Sequence, residues 1–373
     1  MQFDGSNDWR ELAELVEGGA ELVGIRSKPP LPKEFLQAVG DKLLAVGVFD
    51  AGTNHVDSSA ASEAFVPVFN AEGQNARPVA ELTFLQMMAL SRGVFGHVES
   101  MRDGVWSKDT GEELLGKTVD VIGFGSIGRE VSSMAESWGM KVLFSDPNVH
   151  SVPNNQTKAE LDELLAKSDF VTIHTDMKGV ISANEIALMK PGAYLINNAR
   201  ETCVDLGAVE AALDSDQLAG YATDVHTKDP SKRGDPIEHR FQGRDDVLLT
   251  PHIAGSTVEA QKRAGIFIAD VFAGLNKNGT IGGTSINYAG VYLPLTSTEQ
   301  SRILYLHRNK PGAMSSLTDP LTDAGMNTTA QLLQTKRNNG TALVGIEAPS
   351  AEVEDVLADA DLAGRYRVIN TAA

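Results

Sequence analysis

Apolar positions along the chain alternate between two rhythms. Val119, Val121 and Ile122 form a short run rich in β-branched residues, which suits a strand buried in a parallel sheet. Behind it Ile127, Val131, Met134 and Trp138 fall roughly on one face of a helix that stops near Gly139, and Val142-Leu143-Phe144 opens the next strand. The rhythm continues through apolar runs at 170–173, 193–196, 218–223 and 247–249, separated by helical stretches. This pattern predicts a doubly wound parallel sheet of six strands. Upstream, Trp9, Leu12, Leu15 and Val16 predict a helix ended by Gly18-Gly19. Strands at 22–25, 43–48 and 66–69, with a helix at 32–39, predict a smaller α/β unit. Residues 71–78 read as a linker into a long helix that has Pro78 at its first position and a buried run at 82–90. Beyond a helix at 257–275, residues 302–369 run β-α-β-β-α-β, a ferredoxin-like order.

Between the first strand of the larger sheet and its helix stands Gly123-Phe124-Gly125-Ser126-Ile127-Gly128. Glycine is required there three times: for a sharp turn, for close approach of backbone to a pyrophosphate, and for packing of helix on strand. Asp146 ends the second strand, where a carboxylate accepts hydrogen bonds from a ribose diol and repels a 2′-phosphate. Strand, glycines, helix, strand and acid together point to NAD rather than NADP. Asn197, Asn198, Arg200, Asp224 and His252 all fall just past carboxyl ends of strands, the edge at which such sheets bind ligands. The fourth strand, at 193–196, is expected to border the switch point where the nicotinamide lies. An NAD enzyme needs a proton carrier and a substrate anchor. His252 suits the first, because an imidazole gains and loses a proton at working pH. Arg200 suits the second, because a guanidinium grips a carboxylate with two hydrogen bonds. Asp229, in the loop 227–230, is a candidate acid behind the imidazole.

Composition narrows the partners. A net charge of −18 speaks against nucleic acid or an anionic membrane surface, though a local Arg cluster can still hold an anionic metabolite. Cys203 is the single cysteine, so no intrachain disulfide forms, and its expected place is the core. The first residues are acidic without an apolar signal core, and no apolar run is long enough to cross a bilayer. The cytoplasm is the expected compartment. Trp106 lies in a polar stretch, where it reads either as core or as an anchor to another subunit. No metal ligands are assigned.

GFGSIG with Asp146, LINNARETCVD around Arg200, ATDVHTKDP around Asp229 and LLTPHIAGST around His252 together resemble the D-isomer-specific 2-hydroxyacid dehydrogenases. ELVGIRSK, AVGVFDAGTNHVD, PVFNAEGQNARPVAEL and GVWSK resemble the substrate domain of the branch that acts on D-3-phosphoglycerate, and ILYLHRNKPG resembles its serine-binding ACT domain. The resemblance implies a flavodoxin-like substrate domain at 1–74 and 255–299, a Rossmann NAD domain at 75–254 and an ACT regulatory domain at 300–373. It implies NAD-dependent oxidation of D-3-phosphoglycerate to 3-phosphohydroxypyruvate, the first step of serine biosynthesis, in a homotetramer inhibited by L-serine. Related enzymes acting on 2-oxoglutarate, glyoxylate or lactate, and a weakly catalytic NAD-sensing binding protein, are the competing readings.

By the same resemblance, Arg200, Asp229 and His252 form the catalytic trio. NAD contacts carry over to Gly123, Gly125, Ser126, Ile127, Gly128, Asp146, His174, Thr175, Asn198, Ala199, Arg200, Asp224, His252 and Gly255. Arg26 and Lys28 match the basic pair at the substrate phosphate, and Asn75 a hinge asparagine. His307, Asn309 and Asn327 match serine ligands, and Trp106 an anchor for a neighbouring subunit. The chain departs from the family in several places. Asp229 stands for a glutamate, which predicts a longer or water-bridged bond to His252. Glu201 replaces a glycine beside the substrate anchor, and Asp50 brings a charge into the substrate loop. The family's N-terminal strand is missing, which leaves a sheet edge to be covered. Pro320 falls inside an expected helix, where it costs about 3 kcal/mol.

Overall fold

The computed structural model describes residues 8–150, 156–227, 229–230 and 234–371. The acidic residues 1–7, and Lys228 in the loop before Asp229, lie outside the described residues. The chain divides into two compact units, Met1–Gln74 with Gln261–Ala373, and Asn75–Ala260.

The first unit begins with α1 (Trp9–Glu17), capped by the Asp8 carboxylate, which accepts from the Arg10 N–H at 3.0 Å. Strands β1 (Leu22–Ile25), β2 (Ala45–Val48) and β3 (Val68–Asn70) form a parallel sheet in the order β1-β2-β3. Helices α2 (Lys33–Val39) and α3 (Ser58–Glu63) connect them. β2 starts later than the apolar run at 43–48 because the Leu43 N–H still closes the α2 end, onto the Val39 carbonyl at 3.2 Å. α3 was not legible, since Ser-Ser-Ala-Ala-Ser-Glu has no apolar stripe; the Asp57 cap on the Ala60 N–H starts it. The outer edge of β3 is closed by the 285–287 segment. The Ile286 N–H bonds the Val68 carbonyl at 2.8 Å, and Asn287 Oδ1 accepts from the Val68 N–H at 2.9 Å.

The second unit starts with α4 (Ala76–Ser91) and α5 (Val94–Arg102). Pro78 is the third residue of α4 rather than the first. It is tolerated there because the N–H groups of a first turn have no helical partner. The 82–90 run is only partly buried: Phe84 and Met87 are in the core, while Leu85 faces solvent. Next come β4 (Thr118–Ile122), α6 (Ser126–Ser137), β5 (Lys141–Ser145), β6 (Thr157–Lys158), α7 (Leu161–Leu165), β7 (Phe170–Ile173), α8 (Ala183–Leu188) and β8 (Ala193–Asn197). A 3-10 turn at Glu201–Cys203, α9 (Leu206–Asp214), β9 (Leu218–Thr223) and β10 (Val247–Leu249) complete it. The parallel sheet has seven strands, not six, in the order β10-β9-β8-β7-β4-β5-β6. β6 went unread because two polar residues carry no pattern. The order reverses between β4 and β7, so the switch point lies there and not beside the 193–196 strand, which is one strand further over.

α10 (Val258–Asn278) leads from the second unit back to the first. There β11 (Ser301–Arg308), α11 (Ala313–Asp323), β12 (Thr328–Lys336), β13 (Asn339–Ile346), α12 (Ser350–Ala358) and β14 (Gly364–Asn370) form an antiparallel sheet in the order β12-β13-β11-β14. α11 runs through Pro320, and the Ala324 N–H bonds the Pro320 carbonyl, so the proline does not break the helix. This sheet is not packed as an independent body. Leu304, Leu306, Leu343 and Ile369 share one core with Ala45, Phe69 and Ile268. Arg365 donates to the carbonyls of Gly40, Asp41 and Leu43 at 2.7–2.8 Å.

One residue in the sheet runs against its surroundings. Asp120 is fully buried in β4, and neither carboxylate oxygen has a hydrogen-bond partner. Burial pushes its carboxyl well above the ordinary 3.8. Because folding raises this value, the neutral form's contribution is fully present below the unfolded pKa and is lost as pH rises. Asp120→Val should therefore raise unfolding free energy by about 1–3 kcal/mol at neutral pH, and by less in acid. Urea unfolding under the two conditions checks it; a destabilised variant at neutral pH would mean that the carboxylate has a partner.

Candidate active site

The turn after β4 leaves room on one side only. Gly123 sits at φ +91, and a Cβ there would lie 2.5 Å from the His174 carbonyl oxygen. A Cβ on Gly128 would lie 2.1 Å from the Gly123 carbonyl oxygen. A Cβ on Gly125 would meet nothing within 4 Å. Two glycines thus close the turn against backbone and the third keeps a cradle open, at the N-terminus of α6 where the N–H groups of Ser126 and Ile127 favour an anion. Asp146 shapes the same turn. Its Oδ2 accepts from the Phe124 N–H and its Oδ1 from the Asn148 N–H, each at 2.8 Å. Each oxygen keeps a lone pair for a ribose hydroxyl. The residues fit a dinucleotide.

Across the switch point, His174 Nε2 meets Thr172 Oγ1 at 2.9 Å, and burial pushes its pKa down to about 3, so the ring is neutral. The Thr175 carbonyl accepts from Cys203 Sγ at 3.2 Å; Cys203 is a buried core residue whose thiol burial pushes up. At the end of β8, Asn197 folds the turn: its Oδ1 accepts from the Ala199 N–H at 3.1 Å and its Nδ2 donates to the Arg200 carbonyl at 2.9 Å. Asn198 turns onto α4, donating to Thr83 Oγ1 at 2.9 Å and Gln86 Oε1 at 2.7 Å. Both its amide hydrogens are then used. Arg200 is exposed, with Nη1 on the Ala199 carbonyl at 2.7 Å.

The loop after β10 is tied to the end of β9 by Asp224. Its buried carboxylate accepts from Thr250 Oγ1 at 2.6 Å, the Ile253 N–H at 2.9 Å and the Ala254 N–H at 2.7 Å. Between these anchors His252 stands at φ +54, a left-handed backbone rare for a side chain of this size. Its Nδ1 meets Asp229 Oδ2 at 2.6 Å. The bond is direct and short, which corrects the expectation drawn from the lost methylene: the loop carries Asp229 close enough for the shorter acid. With Nδ1 donating, Nε2 keeps the lone pair. Thr250, two residues before His252, was not singled out as a site residue, whereas Asn197 was placed at the ligand-binding edge and its side chain shapes the turn there. A Cβ on Gly255 would meet Asn75 Nδ2 at 2.9 Å, so this glycine allows the loop to lie against the start of α4.

In the first unit, Arg26 Nε bonds Asp50 Oδ2 at 3.2 Å, so the unexpected acid pairs with a proposed phosphate ligand. His307 is buried, with Nδ1 against the Arg308 carbonyl at 2.8 Å. Asn309 donates its backbone N–H to the Asn338 carbonyl at 2.8 Å, and Asn327 Nδ2 donates to Glu347 Oε2 at 2.7 Å.

Residues 84–254 match the family model described as D-isomer specific 2-hydroxyacid dehydrogenase, NAD binding domain. The chain belongs to the D-isomer-specific 2-hydroxyacid dehydrogenase family. The relatives it resembles along nearly its whole length are D-3-phosphoglycerate dehydrogenases. It is 38% identical to that of Escherichia coli K12 over 360 residues, which cover 95% of this chain and 87% of that enzyme. It is 35% identical to that of Dictyostelium discoideum over 339 residues, 89% of this chain and 82% of that one. Among solved structures, D-lactate dehydrogenase from Aquifex aeolicus, in complex with NAD and lactic acid, is 26% identical with a TM-score of 0.62 and covers 72% of this chain and 85% of that one.

Asp224→Asn replaces one acceptor oxygen by a donor facing backbone N–H groups. It should lower kcat by roughly 10²-fold, the cost of misplacing a catalytic group by an ångström, and lower the melting temperature. Steady-state kinetics and thermal melting check it; unchanged kcat would show that the loop holds His252 without this knot.

Proposed function

We propose that the chain oxidises D-3-phosphoglycerate to 3-phosphohydroxypyruvate with NAD, the first step of serine biosynthesis. The observation that carries the chemistry is the Asp229–His252 pair, 2.6 Å apart, with His252 on a loop tied to the end of β9. The substrate is carried by likeness to D-3-phosphoglycerate dehydrogenases over 95% of the chain. Arg200 holds the substrate carboxylate and polarises the C2 oxygen. His252 Nε2 takes the C2 hydroxyl proton while the C2 hydride departs, leaving the keto acid. Asp229 holds the imidazole in the tautomer that exposes Nε2 and stabilises its charged form. Arg26 and Lys28 receive the phosphate. NAD, when bound in the open cradle, supplies the hydride acceptor.

NADH absorbance with D-3-phosphoglycerate tests this. His252→Ala should lower kcat roughly 10²- to 10⁴-fold, and NADP should be used far less well than NAD because Asp146 faces the 2′ position. Turnover of D-lactate or of the 2-oxoglutarate and glyoxylate pairs with no turnover of D-3-phosphoglycerate would overturn the substrate, and a normal His252→Ala rate would overturn the base.

The same reading makes the C-terminal sheet an ACT domain that binds L-serine at His307, Asn309 and Asn327, in a homo-oligomer. What favours an oligomer is an apolar face on the NAD unit. Trp106 is 80% exposed, which excludes the core reading, and Leu115 69%; Met88, Val98, Met101 and Trp138 line a groove with Leu115. No helix among the described residues is long and apolar enough to cross a membrane, and the cytoplasm is the compartment we propose. Millimolar L-serine should inhibit the wild type and inhibit Asn309→Ala less; indifference of the wild type would reduce the domain to an assembly element.

A further inference from the structure

Glu201, His226 and His239 come together in the second unit, with one ligand atom from each lying within 4.8 Å of the others. The two rings meet edge to face, centroids 5.3 Å apart at 81°. His226 Nε2 lies 2.9 Å from the Thr250 carbonyl, which can only accept, so this nitrogen carries the hydrogen. His226 Nδ1 is therefore a bare lone pair; it is shut off from solvent and has no partner. His239 Nε2 is likewise buried without a partner. The Glu201 carboxylate accepts no hydrogen bond from the described residues. Unpartnered buried nitrogens converging on one point call for a missing group.

Two imidazoles and a carboxylate are a ligand set of zinc-like transition metals, whereas calcium and magnesium take oxygen sets. Ligating histidines usually donate their other N–H to a backbone carbonyl or carboxylate, as His226 does to Thr250. A metal roughly 2.0–2.2 Å from each ligand sets the donor atoms roughly 3.3–3.5 Å apart. Side-chain rotation by about an ångström closes the present spacing on that geometry and leaves a fourth position for water. The Phe241 N–H contact to His239 Nδ1, at 3.4 Å, is weak and gives way when Nδ1 takes the proton that a metal on Nε2 requires.

We propose that Glu201, His226 and His239 bind one divalent transition-metal ion of the zinc class. Glu201 follows Arg200 directly, so the ion cancels a negative charge beside the substrate anchor. That consequence rests on the role proposed for Arg200; the binding itself does not.

The full-length protein, stripped with chelator and titrated with Co²⁺, should take up one ion per chain and show the visible d–d bands of a low-coordinate site, bleached by Zn²⁺. His239→Ser and Glu201→Gln should each weaken binding by more than the roughly 10- to 100-fold that loss of an outer partner costs, while His252→Ala should leave the bands intact. Far-UV circular dichroism and NAD binding verify that each variant is folded, and Glu201→Gln, which preserves the shape of a partly buried side chain, is the variant least dependent on packing. Absence of d–d bands, binding that survives both substitutions, or binding lost only in His252→Ala would each overturn the site.

Discussion

The carboxylate of Asp224 is fully buried just past the end of β9, and it stays there because Thr250 Oγ1 and two backbone N–H groups give both of its oxygens hydrogen bonds. A buried charge is tolerated when hydrogen bonds replace its water. These bonds do more than satisfy the acid: they fix both sides of His252, whose left-handed backbone costs on the order of 1–3 kcal/mol and persists only where surroundings over-determine it. Asp229 then needs only to meet a ring already in place. The geometry of the proposed base is set by a residue that is not itself the base.

The same unit shows the opposite case. Asp120, also fully buried, has no hydrogen-bond donor among the described residues, and its cost falls on stability. Around the switch point, shape does the rest. Gly123 and Gly128 allow β4, α6 and the end of β7 to touch, and Gly125 leaves open space at the helix N-terminus, where a pyrophosphate fits.

Features demanded by backbone physics were legible in the sequence. A glycine triplet between strand and helix has few other uses, and the β-α-β-β-α-β order followed from apolar runs and turns. Loop geometry was not legible: the Asp229–His252 distance depends on how a loop folds, so side-chain length predicted a longer bond than exists. Pro78 and Pro320 misled for a related reason, since helix position and tertiary support decide what a proline costs. β6 was too short to carry a pattern. The metal trio could not be read, because Glu201, His226 and His239 leave three different segments and only the fold joins them. One signal was present and unused. β11 is apolar on both faces, Ile303 and Tyr305 alternating with Leu304 and Leu306, which already implies that both faces of its sheet are covered.

The proposed mechanism has Asp229 act through His252, and a double-mutant cycle on kcat/KM for NAD-dependent oxidation of D-3-phosphoglycerate measures that dependence directly. Wild type, Asp229→Ala, His252→Ala and the double variant are compared. Removing Asp229 should cost a large factor when the imidazole is present and almost nothing once it is gone. Equal costs in the two backgrounds would contradict the pairing, and with it the chain of support that runs from Asp224 through the loop to the proton carrier.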